Sequence, residues 1–272
     1  MAGFATEAVV LRVVAFGESD LVVQLLTRRA GRLTAIAKGA RRSTRRFPGV
    51  LDLFNRLRVQ VERPRRPAMA RLEHARLVDA FLGLRADARR FALGCFLLEL
   101  LDRLAPEGGP RRDLDALFEF AASALAALER TRPDRRTRAL LELRALAALG
   151  LQPELRACVR CARPLEGSAP IAFSVPEGGP LCTACERPGD AALAVHLGTL
   201  RALERGARLP LERIERLALS AGALDEALRL LDRFQRFHLG VELRSAGFVE
   251  RALADDAPHA RPPRAAAPAP AS

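Results

Sequence analysis

The chain has no tryptophan and no tyrosine, and its aromatic content of 5% is phenylalanine alone. Stacking platforms for planar ligands are therefore scarce, which argues against base-by-base aromatic readout of a nucleic acid. No uncharged apolar run approaches the ~18 residues needed to span a membrane, so a transmembrane helix is excluded. The Gly-x-x-x-x-Gly-Lys phosphate loop, the Gly-x-Gly-x-x-Gly turn, the His-Glu-x-x-His helix and the Gly-x-Ser-x-Gly elbow are all missing. With them go the commonest nucleotide-dependent, metallohydrolytic and acyl-transfer chemistries, and no catalytic residue is nominated. Only five cysteines are present, and only one of the 44 basic residues, Lys38, is a lysine.

What is there is an uneven positive charge. The net charge is +12 over 272 residues, yet residues 1–79 hold 16 Lys and Arg against 7 Asp and Glu, a balance of +9. A field concentrated in one segment points to a polyanionic partner. The N-terminal stretch carries Glu7, Arg12 and Glu18 and lacks a basic n-region, so the expectation is a chain without a signal peptide, in the cytoplasm. In that reducing compartment, paired cysteines read as metal ligands or redox pairs before disulfides.

Along the chain the hydrophobic period changes once. Runs at Glu7–Val14, Leu21–Thr27, Arg32–Ala37, Arg56–Glu62 and Ala70–Val78 read as strands. The fourth alternates strictly, placing Leu57, Val59 and Val61 on one buried face, and Pro64 and Pro67 are expected to break it. Five strands without a long helix between them predict an OB-type β-barrel over residues 1–79. Helical periodicity then predicts helices at Phe81–Leu104, at Asp113–Glu129 with Asp113 as cap, from Pro133 and Asp134 to Gly150, at Ala191–Arg205 and at Ala223–Leu243. In the last, Leu224, Ala227, Leu228, Leu231, Phe234 and His238 share a core-facing stripe. The fold class is therefore α+β and multi-domain, with the barrel followed by a mainly α-helical domain at 80–250. Residues 251–272, mostly Ala and Pro beyond Asp255, are expected to be a disordered tail.

Inside the helical domain, residues 155–188 carry two Cys-x-x-Cys pairs, Cys158 with Cys161 and Cys182 with Cys185, twenty residues apart. Each tight turn offers two thiolates, and two such turns supply the four sulfurs of a tetrahedral zinc-finger site. Redox dithiols or inert buried cysteines are the alternative, and the doubled motif favours one structural zinc ion. Four thiolates leave no open coordination position, so the metal braces and does not catalyse. Cys95, in an apolar helix, reads as a buried unreactive thiol, and His74, His196, His238 and His259 as non-ligands.

The stretch from Lys38 to Phe47 carries five positive charges and no acid. Such a loop repels itself unless an anion is near, which nominates Lys38, Arg41, Arg42, Arg45 and Arg46 as phosphate contacts. A solvated loop is the bland alternative. Phe4, Phe16, Phe47 and Phe54, the phenylalanines of this half, read mostly as core. With little stacking available, binding should be weakly sequence-selective and strongly salt-dependent.

Glu7-Ala8-Val9-Val10-Leu11, Gly17-Glu18-Ser19-Asp20, Lys38-Gly39-Ala40-Arg41-Arg42, the Gly178-Gly179 pair ahead of Cys182, and Phe237-His238-Leu239-Gly240 together resemble the bacterial RecO family up to about Glu250. That resemblance implies a non-enzymatic mediator of DNA repair and recombination in the cytoplasm, associated with the nucleoid. Such a protein binds single- and double-stranded DNA, anneals complementary strands, and works with RecR to load RecA onto strands coated by single-stranded-DNA-binding protein. The acidic tail of that coating protein would need a groove edged by positive charge. Arg132, Arg135 and Arg136, near the start of the third helix with Arg130 and Arg138, are the candidates, because a helix N-terminus favours a carboxylate. Two other readings stand beside this one: a zinc-ribbon enzyme acting on nucleic acid, and a zinc-containing structural adaptor whose basic surface meets another protein.

Overall fold

The computed structural model describes residues 2–63, 69–167, 169–190, 192–210, 213, 214, 217–240 and 242–254. Pro64, Pro67 and the expected tail from residue 255 onward lie outside the described residues.

The five strands expected from the sequence form: β1 (Ala2–Phe16), β2 (Asp20–Thr27), β3 (Gly31–Ala37), β4 (Arg56–Arg63) and β5 (Ala70–Asp79). They close into a barrel in the order β1-β2-β3-β5-β4, antiparallel except for β3 with β5. The alternation of β4 does what its pattern demands, sending Leu57, Val59 and Val61 into the barrel. β1 extends well beyond its Val-rich segment in both directions because it serves two partners, β4 with its first half and β2 with its second. A bulge between Val10 and Arg12 makes this possible. Ala8 and Val10 point into the barrel before it, Val13 after it, and Leu11 is the extra residue.

The helical domain packs on the outside of that wall. Val9, Leu11 and Leu26 on the barrel's outer face belong to the same continuous core as helices α1 (Ala88–Leu104), α2 (Arg111–Arg130) and α3 (Arg135–Ala148). Gly31 turns the β2–β3 hairpin at φ +65°, and a Cβ there would stand 2.2 Å from the Pro106 carbonyl oxygen, so only glycine lets the hairpin touch the α1–α2 loop. Arg32 N donates to that carbonyl at 2.8 Å. Phe54, held at φ 70° in the β3–β4 connection, lays its ring against Gly94 of α1, where any Cβ would collide with it at 2.8 Å.

Several expected boundaries shift for identifiable reasons. α1 begins at Ala88, not Phe81, because Asp87 caps it by accepting from the N–H groups of Arg89 and Arg90, and a short 3-10 turn at Leu82–Leu84 precedes it. α2 starts at Arg111 with Pro110 as its cap residue, so Asp113 sits within the first turn and is not the cap. α3 opens on the Asp134–Thr137 capping box, as the Pro133-Asp134 pair suggested. The expected helix from Ala191 is half strand: β8 (Ala192–His196) runs first and α4 (Leu197–Arg208) follows. β8 pairs with β6 (Pro170–Ser174), which also holds β7 (Gly179–Leu181), making a three-stranded sheet that helical periodicity could not announce. α5 (Ala221–Leu239) ends at the left-handed Gly240, short of Leu243, and α6 (Ala246–Ala254) reaches into the stretch expected to be tail.

Arg138 is not on the surface with its neighbours. It is buried in α3, where it pairs with Asp232 of α5 at 2.6 Å and with Glu250 of α6, so one guanidinium ties three helices. One turn on, Glu142 is fully buried and both its carboxylate oxygens lack a hydrogen-bond partner. Burial pushes its carboxyl up to about 8, with Arg138 opposing the rise and Asp232 reinforcing it. An unfolded glutamate titrates near ~4.3, so between the two values the folded chain keeps a proton that the unfolded chain has lost. Stability therefore falls as pH rises through that window and levels off above about 8. Glu142→Gln, which cannot titrate, should raise the melting temperature more at the upper end of this window than at the lower. An equal gain at both ends contradicts a neutral buried carboxyl.

Candidate metal centre and nucleic-acid interface

The two Cys-x-x-Cys turns meet face to face. Each is an ordinary tight turn: Ala162 N donates to the Cys158 carbonyl at 2.8 Å, and Cys185 N and Glu186 N donate to the Cys182 carbonyl at 2.9 and 3.0 Å. The strand pair β6–β7 carries the second turn to the first, and Val159 N donates to Pro180 O at 3.0 Å across the join. Gly179 is required there because a Cβ would stand 2.3 Å from Val159 Cγ1. The four Sγ atoms end within 4.8 Å of one another, and Cys161 and Cys182 are 3.6 Å apart. A tetrahedral ion with metal–sulfur bonds of ~2.3 Å needs sulfur–sulfur edges of about 3.8 Å, so this donor set fits one metal ion. Burial works to raise the Cys158 thiol, but N–H groups of Cys182, Arg160 and Cys161 outweigh it and hold the thiol down at about 6. Cys185 is pushed up to about 12, mainly by hydrogen bonds with Cys182 and Cys161. One sulfur is thus poised as the thiolate that metal ligation requires.

Sequence reasoning missed the clamp around this centre. Arg160, between the first two cysteines, reaches Glu177 with Nε at 2.9 Å, Asp190 with Nη1 and Nη2 at 2.9 and 2.8 Å, and the Cys185 carbonyl. The guanidinium holds both carboxyls below the usual carboxylate range. A planar fork can bridge the two turns in this way and a lysine cannot. The cysteine turns also do not stand alone as a braced loop: Cys158, Leu165, Phe173, Leu181 and Val195 join the main helical core. His196 is occupied elsewhere, with Nδ1 2.9 Å from Glu226 Oε1, and is no ligand. Cys95 is half-buried in α1, its thiol pushed up to about 11 by burial and by Glu99, consistent with an inert thiol.

The basic stretch proves to be a plugged and stapled loop. Ala40, Phe47 and Val50 insert into the end of the barrel core. Burying a phenylalanine side chain contributes roughly 1.5–3 kcal/mol, a share of which offsets the repulsion among the arginines. Gly39, left-handed at φ 66°, donates its N–H to Asp20 Oδ1 at 2.7 Å, and Arg41 N donates to Ser19 O at 3.0 Å. Ser43 Oγ accepts from the N–H groups of Arg46 and Phe47 at 3.1 and 3.3 Å. These contacts fix the course of the loop from within the protein. Lys38, Arg41, Arg42 and Arg45 are exposed. Arg46 differs: it donates to the Lys38 carbonyl, approaches Glu73 at 3.9 Å and lies over the Phe47 ring. It braces the loop from within.

Two family models divide the chain between them. Recombination protein O N terminal matches residues 1–81, and Recombination protein O C terminal matches residues 85–246. The chain belongs to the RecO family. It is similar to the DNA repair protein RecO of Anaeromyxobacter dehalogenans (strain 2CP-C), 38% identical over 89% of this chain and 94% of the relative. The RecO of Myxococcus xanthus (strain DK1622) is 37% identical over 92% and 98%, and that of Syntrophus aciditrophicus (strain SB) 33% identical over 88% and 92%.

In this RecO-family chain the late Phe237-His238-Leu239-Gly240 motif has a structural task. Gly240 ends α5, and His238 Nε2 lies 3.2 Å from the Val175 carbonyl in the β6–β7 turn, so the motif fastens α5 to the metal module. The three arginines expected to meet an acidic partner are not equivalent. Arg135 pairs with Asp225 at 2.7 Å and Arg136 with Asp134 at 2.8 Å, and Arg132 is exposed. No helix among the described residues is long and apolar enough to cross a membrane.

Arg160→Ala should speed release of the metal to a colorimetric chelator while leaving the barrel's thermal transition in place. Release at the unchanged rate would mean the two turns hold without the clamp.

Proposed function

We propose that this chain is a DNA repair and recombination mediator without enzymatic turnover, which binds single- and double-stranded DNA through phosphate contacts and anneals complementary strands. The observation that carries the reading is the rigid loop at the barrel end, which holds Lys38, Arg41, Arg42 and Arg45 outward with no acid between Lys38 and Phe47. Two DNA backbones repel each other, and a cationic surface that neutralises both lets their bases sample pairing without being read by the protein. The names of the relatives, each a DNA repair protein, and the lack of a catalytic constellation in the sequence support the same reading.

Zinc is the ion we assign to the four cysteines, because a closed tetrathiolate set suits it and leaves no position for chemistry. Together with RecR the protein would help load RecA onto strands coated by single-stranded-DNA-binding protein. For the acidic tail of that protein, Arg132 remains available at the start of α3.

Binding to a fluorescent single-stranded oligonucleotide should weaken steeply with salt. Replacing Arg41, Arg42 and Arg45 together by Ala, with Arg46 retained, should flatten the log–log salt slope by about 0.7 for each lost contact. Unchanged affinity and slope would remove the loop from the interface. Purified protein should contain one zinc ion per chain, and chelation should expose residues 158–185 to protease while the barrel resists.

A further inference from the structure

The barrel's outer face is covered only in part. Toward the helices, Val9, Leu11 and Leu26 are buried. Beyond the bulge the same face continues with Arg12 and Gln24 paired across β1 and β2, then Val14 with Val22, then Phe16 with Asp20. β3 extends the middle row, since Val22 also pairs with Ile36. This part of the face stays open: Phe16 is 57% and Val14 43% exposed, with Val22 and Ile36 half-buried between them. Single exposed apolar residues are common and need no explanation, but four contiguous ones on a sheet face do.

Cations frame this strip. The turn after Phe16 is stapled to the basic loop by Arg41 N donating to Ser19 O at 3.0 Å and Arg41 Nη1 donating to Glu18 O at 3.1 Å. Lys38 lies two residues past Ile36, in the turn just beyond β3, and Arg12 bounds the other end; both are exposed. The acids nearby are Glu18, at the tip, and Asp20, which is taken up by Gly39 N at 2.7 Å. An apolar sheet face with an exposed ring, bordered by guanidinium and ammonium groups, matches one chain chemistry: planar apolar bases on an anionic backbone.

We infer that this open strip is a stacking platform for unpaired nucleobases, with Phe16 as its principal ring, and that it gives the protein a preference for single-stranded over double-stranded DNA. The inference rests on the DNA-binding reading above. A duplex hides its base faces, so it meets the arginines and leaves the strip idle, whereas a single strand uses both.

Phe16→Ala should weaken binding to a single-stranded oligonucleotide by roughly ten- to a hundredfold, leave duplex affinity within about twofold, and leave the salt slope unaltered, because no phosphate contact is lost. Phe16→Trp should restore single-strand binding. The side chain is more than half exposed, so the variants should melt with the wild type. An oligonucleotide carrying 2-aminopurine should lose fluorescence on binding the wild type and keep it on binding Phe16→Ala. If the wild type binds neither DNA form at low salt, the DNA-binding reading itself fails. If the wild type binds and Phe16→Ala matches it on single strands, or loses both forms equally, the platform is overturned. It is overturned as well if Phe16→Ala keeps DNA binding and loses only a protein partner such as RecR.

Discussion

The architecture turns on one apolar seam. Val9, Leu11 and Leu26 sit on the outside of a barrel and inside the core of a helical domain, so the two units share buried surface. At roughly 25 cal/mol per Å² of apolar area, a seam of this kind outweighs the ion pairs at its margin, Arg28 with Glu119 and Arg32 with Glu107, which are partly exposed and contribute little each. Because the seam fixes the barrel on α1 and α2, the basic loop at one end and the metal centre in the helical part are held in one frame.

Within that frame, both cationic and metal-binding features are built by short connections that are rigid for local reasons. The loop from Lys38 to Val50 is held by a buried phenylalanine, a left-handed glycine and a serine hydroxyl that accepts two backbone N–H groups. The metal centre is held by Arg160 and by its attachment to the helical core. The loop has protein contacts that fix its course, so little ordering entropy remains to be lost when it meets an anion.

Much of this is legible in the sequence. The strict alternation of Arg56–Arg63 sets one strand's inner face, the doubled Cys-x-x-Cys announces a four-sulfur cluster, and the Asp134–Thr137 box marks a helix start. What escapes has physical causes. β6, β7 and β8 are three to five residues long, too short for a periodic signal, and are held by pairing with one another and by packing on the helical core. Arg138 reads as one more arginine in a basic run, and its burial is decided by Asp232 and Glu250, far along the chain. The same holds for Arg160, whose partners Glu177 and Asp190 meet it only in three dimensions. Phe16 is one of four phenylalanines read together as mostly core, and nothing local distinguishes a phenylalanine under a helix from one beyond the helix's reach.

The bulge at Leu11 makes β1 two strands in one. Deleting that single residue would reverse the inside–outside sense of everything from Arg12 to Phe16. A guanidinium and a phenyl ring would be driven toward a barrel lined there by Val23 and Ala35, while Val13, which now packs against them, would be turned to water. The hairpin tolerates changes of side chain far better than a change of length, so this stretch should accept point substitution through descent and refuse insertions and deletions.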